Sequence, residues 1–109
     1  MKRELRTYQT RLGKNPFTDW LASLKDIIGR AQINNRLNRA MLGNYGDYDA
    51  VGDGIYELRI HYGPGYRVYF SEQGNELLLL LLGGSKRTQK QDIKKAKLYW
   101  AEFRERCYD

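Results

Sequence analysis

Apolar side chains change their period along this chain, and the changes mark its elements. From Phe17 they recur at helical spacing with Trp20, Leu21, Leu24 and Ile28. Just ahead, Asn15-Pro16 supplies a capping side chain and a proline at the first helical position, where its missing N–H costs nothing. Gly29 is expected to end this helix. A second, over residues 30–42, would turn Ala31, Ile33, Leu37, Ala40 and Met41 inward and stop at Gly43. Residues 3–11 (RELRTYQTR) read as a short strand, with Leu5, Thr7 and Gln9 on one face and Tyr8 and Thr10 on the other. Residues 44–54 (NYGDYDAVGDG) have no period and read as a surface connection.

Beyond Gly54 the period becomes two. Gly63-Pro64-Gly65 and Gly74-Asn75 interrupt alternating runs and predict two hairpins. Closing the first on Tyr62 and Tyr66 sets Ile60 opposite Val68 and Leu58 opposite Phe70, on an apolar face. The other face then carries His61 across from Arg67, Arg59 across from Tyr69, and Glu57 next in the row. Closing the second on Gln73 and Glu76 sets Leu79 and Leu81 on the apolar face and Leu80 and Leu82 on the polar one. Six successive leucines, Leu77 to Leu82, require cover on both faces, so this strand is expected inside the sheet with the N-terminal strand beyond it. After Gly83-Gly84-Ser85-Lys86-Arg87 the chain turns, and Thr88 with Gln91 forms a capping box. The last helix, residues 89–106, carries Ile93, Ala96, Trp100 and Phe103 as an apolar stripe expected to cover Leu78 and Leu80. The expectation is one α+β domain over residues 1–109, in the order β-α-α-β-β-β-α. An antiparallel sheet of about four strands would have two helices on one face and a C-terminal helix.

Composition and charge narrow the function. The net charge of +6 favours an anionic partner, nucleic acid first among them, although a merely basic surface would give the same number. One cysteine, Cys107, fits a reducing cytosol, and the leucine run is far shorter than the ~20 residues of a membrane span, so a cytoplasmic protein without membrane association is expected. With one His and one Cys, and without a glycine-rich phosphate loop, neither metal nor cofactor is expected. The register gathers Arg59, His61, Arg67 and Lys86 or Arg87 in one basic pocket. Such a set suits metal-free RNA cleavage, in which a 2′-hydroxyl attacks the adjacent phosphate, cations stabilise the phosphoryl oxygens, and His61 or Glu57 moves protons. It equally suits a sheet face that only holds nucleic acid. Arg36 and Arg39, with Lys90, Lys94 and Lys97, are candidate RNA contacts; a solvated helix face would explain the two arginines as well.

The segments GIYELRIHYGPGYRVYF (residues 54–70) and LLLLLLGGSKRTQKQDIKKA (residues 77–96), in this element order, resemble the RelE/ParE toxin superfamily, and within it the phage Gp49-like, HigB-type addiction-module killer proteins. The resemblance spans nearly the whole chain. It implies a RelE-like fold and a type II toxin that cleaves mRNA in the ribosomal A site as a metal-independent endoribonuclease. It further implies neutralisation by a cognate antitoxin, often of helix-turn-helix type. Carried over by motif, the basic strand residue falls on Arg59, the arginine of GYR on Arg67, and the basic residue after the last strand on Lys86 or Arg87. A C-terminal tyrosine of RelE-type enzymes is replaced by Ile93 and a second lysine by Glu57, so Tyr69 or His61 would have to act as base. A ParE-like gyrase inhibitor and a non-catalytic nucleic-acid-binding module are the alternatives.

Overall fold

The computed structural model describes residues 2–107. Five strands form one mixed sheet, β1 (Glu4–Thr7), β2 (Tyr48–Gly52), β3 (Ile55–Ile60), β4 (Tyr66–Gln73) and β5 (Leu77–Ser85), in the spatial order β1-β5-β4-β3-β2. The helices are α1 (Pro16–Ser23), α2 (Ile27–Met41) and α3 (Gln89–Cys107), the last entered through a 3-10 turn, Lys86–Thr88. The class is α+β, but the sheet has five strands and is not wholly antiparallel, because β1 lies parallel to β5. Among the described residues, no helix is long and apolar enough to cross a membrane.

The strand missing from the sequence reading is β2. Its residues, YDAVG, lie at the sheet edge and are mostly exposed, so no buried side chains impose an alternation; a register shift between Ala50 and Gly52 breaks the pattern further. The helix boundary also moves. Asp26, not Gly29, marks it: its Oδ1 accepts from the Gly29 N–H at 2.9 Å and caps α2. Gly29 lies within the helix, at a point where a Cβ would stand 2.6 Å from both Asp26 Oδ2 and Tyr66 Cε2 and only glycine fits. Asn15 caps α1 as expected, accepting from the Thr18 N–H.

The central hairpin closes two residues farther from its turn than expected, with Leu58 opposite Val68, Tyr56 opposite Phe70 and Arg59 opposite Arg67. A shift of two keeps every side chain on its face, so Leu58, Ile60, Val68 and Phe70 still share one side. The β4–β5 register differs by one, pairing Gln73 with Leu77 and Phe70 with Leu80, and that exchanges the leucines. Leu78 and Leu80 face Phe17, Ile33 and Leu37 of the first two helices. Leu79, Leu81 and Leu82 face Tyr8, Ala96 and Trp100, so α3 covers these and not Leu78 and Leu80. The pairing slips between Tyr69 and Phe70, leaving Leu81 as the extra residue of a bulge and putting both Leu81 and Leu82 under α3.

Candidate functional site

Odd-numbered residues of β3 and β4 point toward α3, and at the middle of that row lies a buried carboxylate. Glu57 is fully buried, and four side chains converge on it. The Tyr69 hydroxyl donates to its Oε2 at 3.0 Å and Gln89 Nε2 to the same oxygen at 2.8 Å. Arg59 Nε donates to Oε1 at 3.1 Å, and Arg67 Nε stands 3.9 Å from that oxygen. An unpaired carboxylate at this depth would cost several kcal/mol, and these donors are what make its burial tolerable.

Arg59 and Arg67 are direct cross-strand partners, two cations that would repel were Glu57 not between them. Arg59 is half-buried and also reaches Asp49 at 2.8 Å and Asp47 at 3.9 Å. The Glu57 hydrogen bond, foremost, raises its pKa further and keeps it charged. Arg67 is 7% exposed, which corrects its expected place on an open face. Its terminal nitrogen meets the Gly65 and Tyr66 carbonyls only at 3.4 Å, and its Nε, though buried, has no hydrogen-bond partner.

His61 is not opposite Arg67, because the two-residue shift carries it past the end of β3 into the turn. There its imidazole is exposed and hydrogen-bonded through Nε2 to Asp47 Oδ2. That bond is the main cause of a lowered Asp47 pKa. Asp47 touches Arg59 as well, so His61 joins the site from the β2 side. Lys86 joins from the other side: its N–H donates to Gly65 O at 2.9 Å, next to Arg67, and its side chain is exposed. Arg87 points elsewhere, into a groove with Trp20 and Leu24. Tyr69 is fully buried, and burial followed by the Glu57 charge pushes its hydroxyl far above the usual range, so it stays protonated.

Of the expected RNA contacts, Arg36 proves structural. Its guanidinium is buried and donates to the Tyr45, Asp47 and Arg59 carbonyls, tying α2 to the segments flanking β2 and β3. Arg39, Lys90 and Lys94 are exposed, and Lys97 is half-buried, 3.8 Å from Asp53. The expected Thr88–Gln91 box does not form: Thr88 Oγ1 accepts from the Ser85 N–H and donates to Asp92. Gln89, Asp92, Asp47 and Asp49 escaped the sequence reading. Gln89 and Asp92 were legible in principle, lying three apart beside the Ile93–Ala96 stripe; the aspartates depend on β2. Among the described residues, no group of three or more His, Cys, Asp or Glu side chains could hold a metal ion.

Arg59 and Arg67 thus meet at Glu57, with the Lys86 backbone beside Gly65 at the turn before Arg67, while Glu57, Asp47 and Asp49 offset the charge of the two guanidinium groups. No family model matches the chain. A protein of Haemophilus influenzae described as uncharacterized is 52% identical over 87 residues, covering 80% of this chain and 88% of that protein. Identity at this level over this much of both chains places the present chain in one family with the Haemophilus influenzae protein.

Proposed function

We propose that this chain is the RelE-like, HigB-type toxin of a type II toxin–antitoxin module and that it cleaves mRNA on the translating ribosome in the cytoplasm. The observation carrying this reading is the Arg59–Arg67 cross-strand pair fixed by the buried Glu57, with Lys86 beside it at the turn. Cations preset on a rigid sheet suit a phosphate whose equatorial oxygens gain charge as the 2′-hydroxyl attacks. Glu57 and Tyr69 are too buried to exchange protons with a substrate and serve as positioning residues. His61, exposed and oriented by Asp47, is the group left to move a proton, to or from the 5′-oxygen or 2′-hydroxyl. The exposed Lys90 and Lys94 of α3 would meet ribosomal or messenger phosphates.

The burial of Glu57 and Tyr69 also favours a second reading, a protein that acts by binding alone, as a gyrase inhibitor or a nucleic-acid-binding module would. Induced expression without an antitoxin separates the readings. An mRNA-cleaving toxin arrests amino-acid incorporation first, with DNA supercoiling by purified gyrase unaffected. A gyrase inhibitor blocks supercoiling in vitro, and a passive binding module permits growth while folded protein accumulates.

A further inference from the structure

The C-terminal end of β5 has an edge that no described strand covers. β1 pairs with β5 only as far as Thr7 opposite Leu80, and Tyr8 N donating to Leu80 O is the last bond between them. On the opposite side, Lys86 N donates to Gly65 O, so bonded pairs alternate from there through Arg67–Gly84 and Tyr69–Leu82. Gly83 therefore turns both its N–H and its C=O away from β4, toward the open edge. The next outward N–H, that of Ser85, is taken by Thr88 Oγ1 at 3.2 Å.

This edge is the floor of a groove of about 620 Å³. Trp20 and Leu24 form one wall, and Asp92 and Lys95 the other, with Arg87 at the rim. The walls press on the strand itself. A Cβ at Gly83 would stand 2.0 Å from Trp20 Cε3, and one at Gly84 would stand 1.9 Å from Asp92 Oδ2. Two glycines in succession are thus what lets a tryptophan and a buried aspartate close on the same backbone from its two faces while the edge stays open.

We infer that this groove is a docking site for an extended, acidic segment of a partner protein, which adds as a strand to the β5 edge where β1 leaves it. The outward N–H and C=O of Gly83 are what such a segment satisfies, and its alternate side chains would fall toward the Trp20–Leu24 wall. Arg87 and Lys95 are exposed cations flanking the groove, which selects carboxylates in the segment, in keeping with the +6 net charge. A nucleic-acid strand fits less well, because it cannot continue a β-ladder. The inference does not depend on the proposed toxin activity.

The test uses ten-residue random peptides displayed on phage and selected against the full chain, with the enriched sequences synthesised and titrated into the 15N-labelled protein. Enriched peptides should combine Asp or Glu with alternating apolar residues and protect the Gly83 amide from hydrogen exchange. N-methylation at every second peptide nitrogen should weaken binding by about tenfold or more, and methylation at the intervening ones should not. The Arg87→Glu/Lys95→Glu double variant, altered only at exposed positions, should keep its melting temperature and bind those peptides about tenfold or more weakly. Failure to enrich any peptide would overturn the inference. So would perturbations centred on Arg59 and Arg67, indifference to N-methylation, preference of the groove for a single-stranded RNA oligonucleotide, or closure of the edge by self-association.

Discussion

The Tyr69 hydroxyl reaches Glu57 Oε2 across neighbouring strands at 3.0 Å, with both side chains fully buried. Because Glu57 also holds Arg59, Arg67 and Gln89, its removal strands several donors at once. Glu57→Ala should cost about 3–5 kcal/mol in urea unfolding, the range for breaking a buried charge pair from one side. An unchanged midpoint would mean that these donors find other acceptors.

Arg67 carries a different balance. It is nearly as buried as Glu57, but Glu57 keeps three other donors when it is lost. Arg67→Ala should therefore destabilise by about 1–3 kcal/mol, above the ±0.5 kcal/mol of an ordinary surface site and below a fully broken pair. Arg67→Lys, which keeps the charge near Glu57, should recover part of the melting temperature without recovering a planar two-point grip on phosphate. Thermal melts of both variants check the first expectation, and RNA binding by Arg67→Lys the second.

Asp47 and Asp49, on the β2 side, draw on the same guanidinium that a phosphate would need. Replacing both with Asn should tighten binding of a short single-stranded RNA by about three- to tenfold at low salt and steepen its salt dependence. Fluorescence anisotropy across a salt series measures this. Unchanged affinity would show that RNA does not meet Arg59.

Alkaline pH should unfold the chain through its tyrosines. Burial, then the bond to Glu102, pushes the Tyr8 hydroxyl from 10.0 up to about 12. A pKa raised in the folded state gives stability that is complete below the unfolded value and is lost as pH rises through the folded one. The contribution should therefore hold to about pH 10 and decline toward pH 12, by no more than about 3 kcal/mol for Tyr8. Tyr69 and Tyr66, whose pKa values are also raised, add to the decline. Denaturant unfolding from pH 8 to 11.5 should show a shallower fall for Tyr8→Phe.

Gly83 tests the packing beneath the groove. A methyl group there enters the Trp20 ring, so Gly83→Ala should lower stability by about 1–3 kcal/mol. The loss should shrink when Trp20→Leu is added, and a strictly additive double-mutant cycle would contradict the close approach.

The faces of the central hairpin were legible because side-chain alternation survives a shift of two; the turn Gly63-Pro64-Gly65 marks the hairpin but not its length. That ambiguity displaced His61 from Arg67. The leucine run offers no alternation at all, so nothing in residues 77–82 distinguishes one register from the next, and the bulge at Leu81 places two consecutive residues on one side. β2 was invisible for the opposite reason, since an exposed edge strand buries too little to constrain its sequence. Arg36 could not be known as structural, because its acceptors are backbone carbonyls of a segment read as a loop. The charged row Glu57, Arg59, Arg67 and Tyr69 followed from alternation; its burial did not, because that depends on how α3 crosses the sheet.

On the proposed function, the half-buried Arg59, held in place by Glu57 and with Arg67 behind it, meets messenger RNA at the ribosome. Primer extension on an mRNA undergoing translation in a purified system, with wild type and Arg59→Ala compared, tests it most directly. Arg59 is half-buried, and Glu57 keeps Tyr69, Gln89 and Arg67 beside it when Arg59 is lost, so its variant should stay folded, as its melt would confirm. The wild type should make defined cuts only while ribosomes translate, and Arg59→Ala should cut at least about a hundredfold more slowly. Intact mRNA with the folded wild-type chain, or equal cutting by the variant, would contradict it.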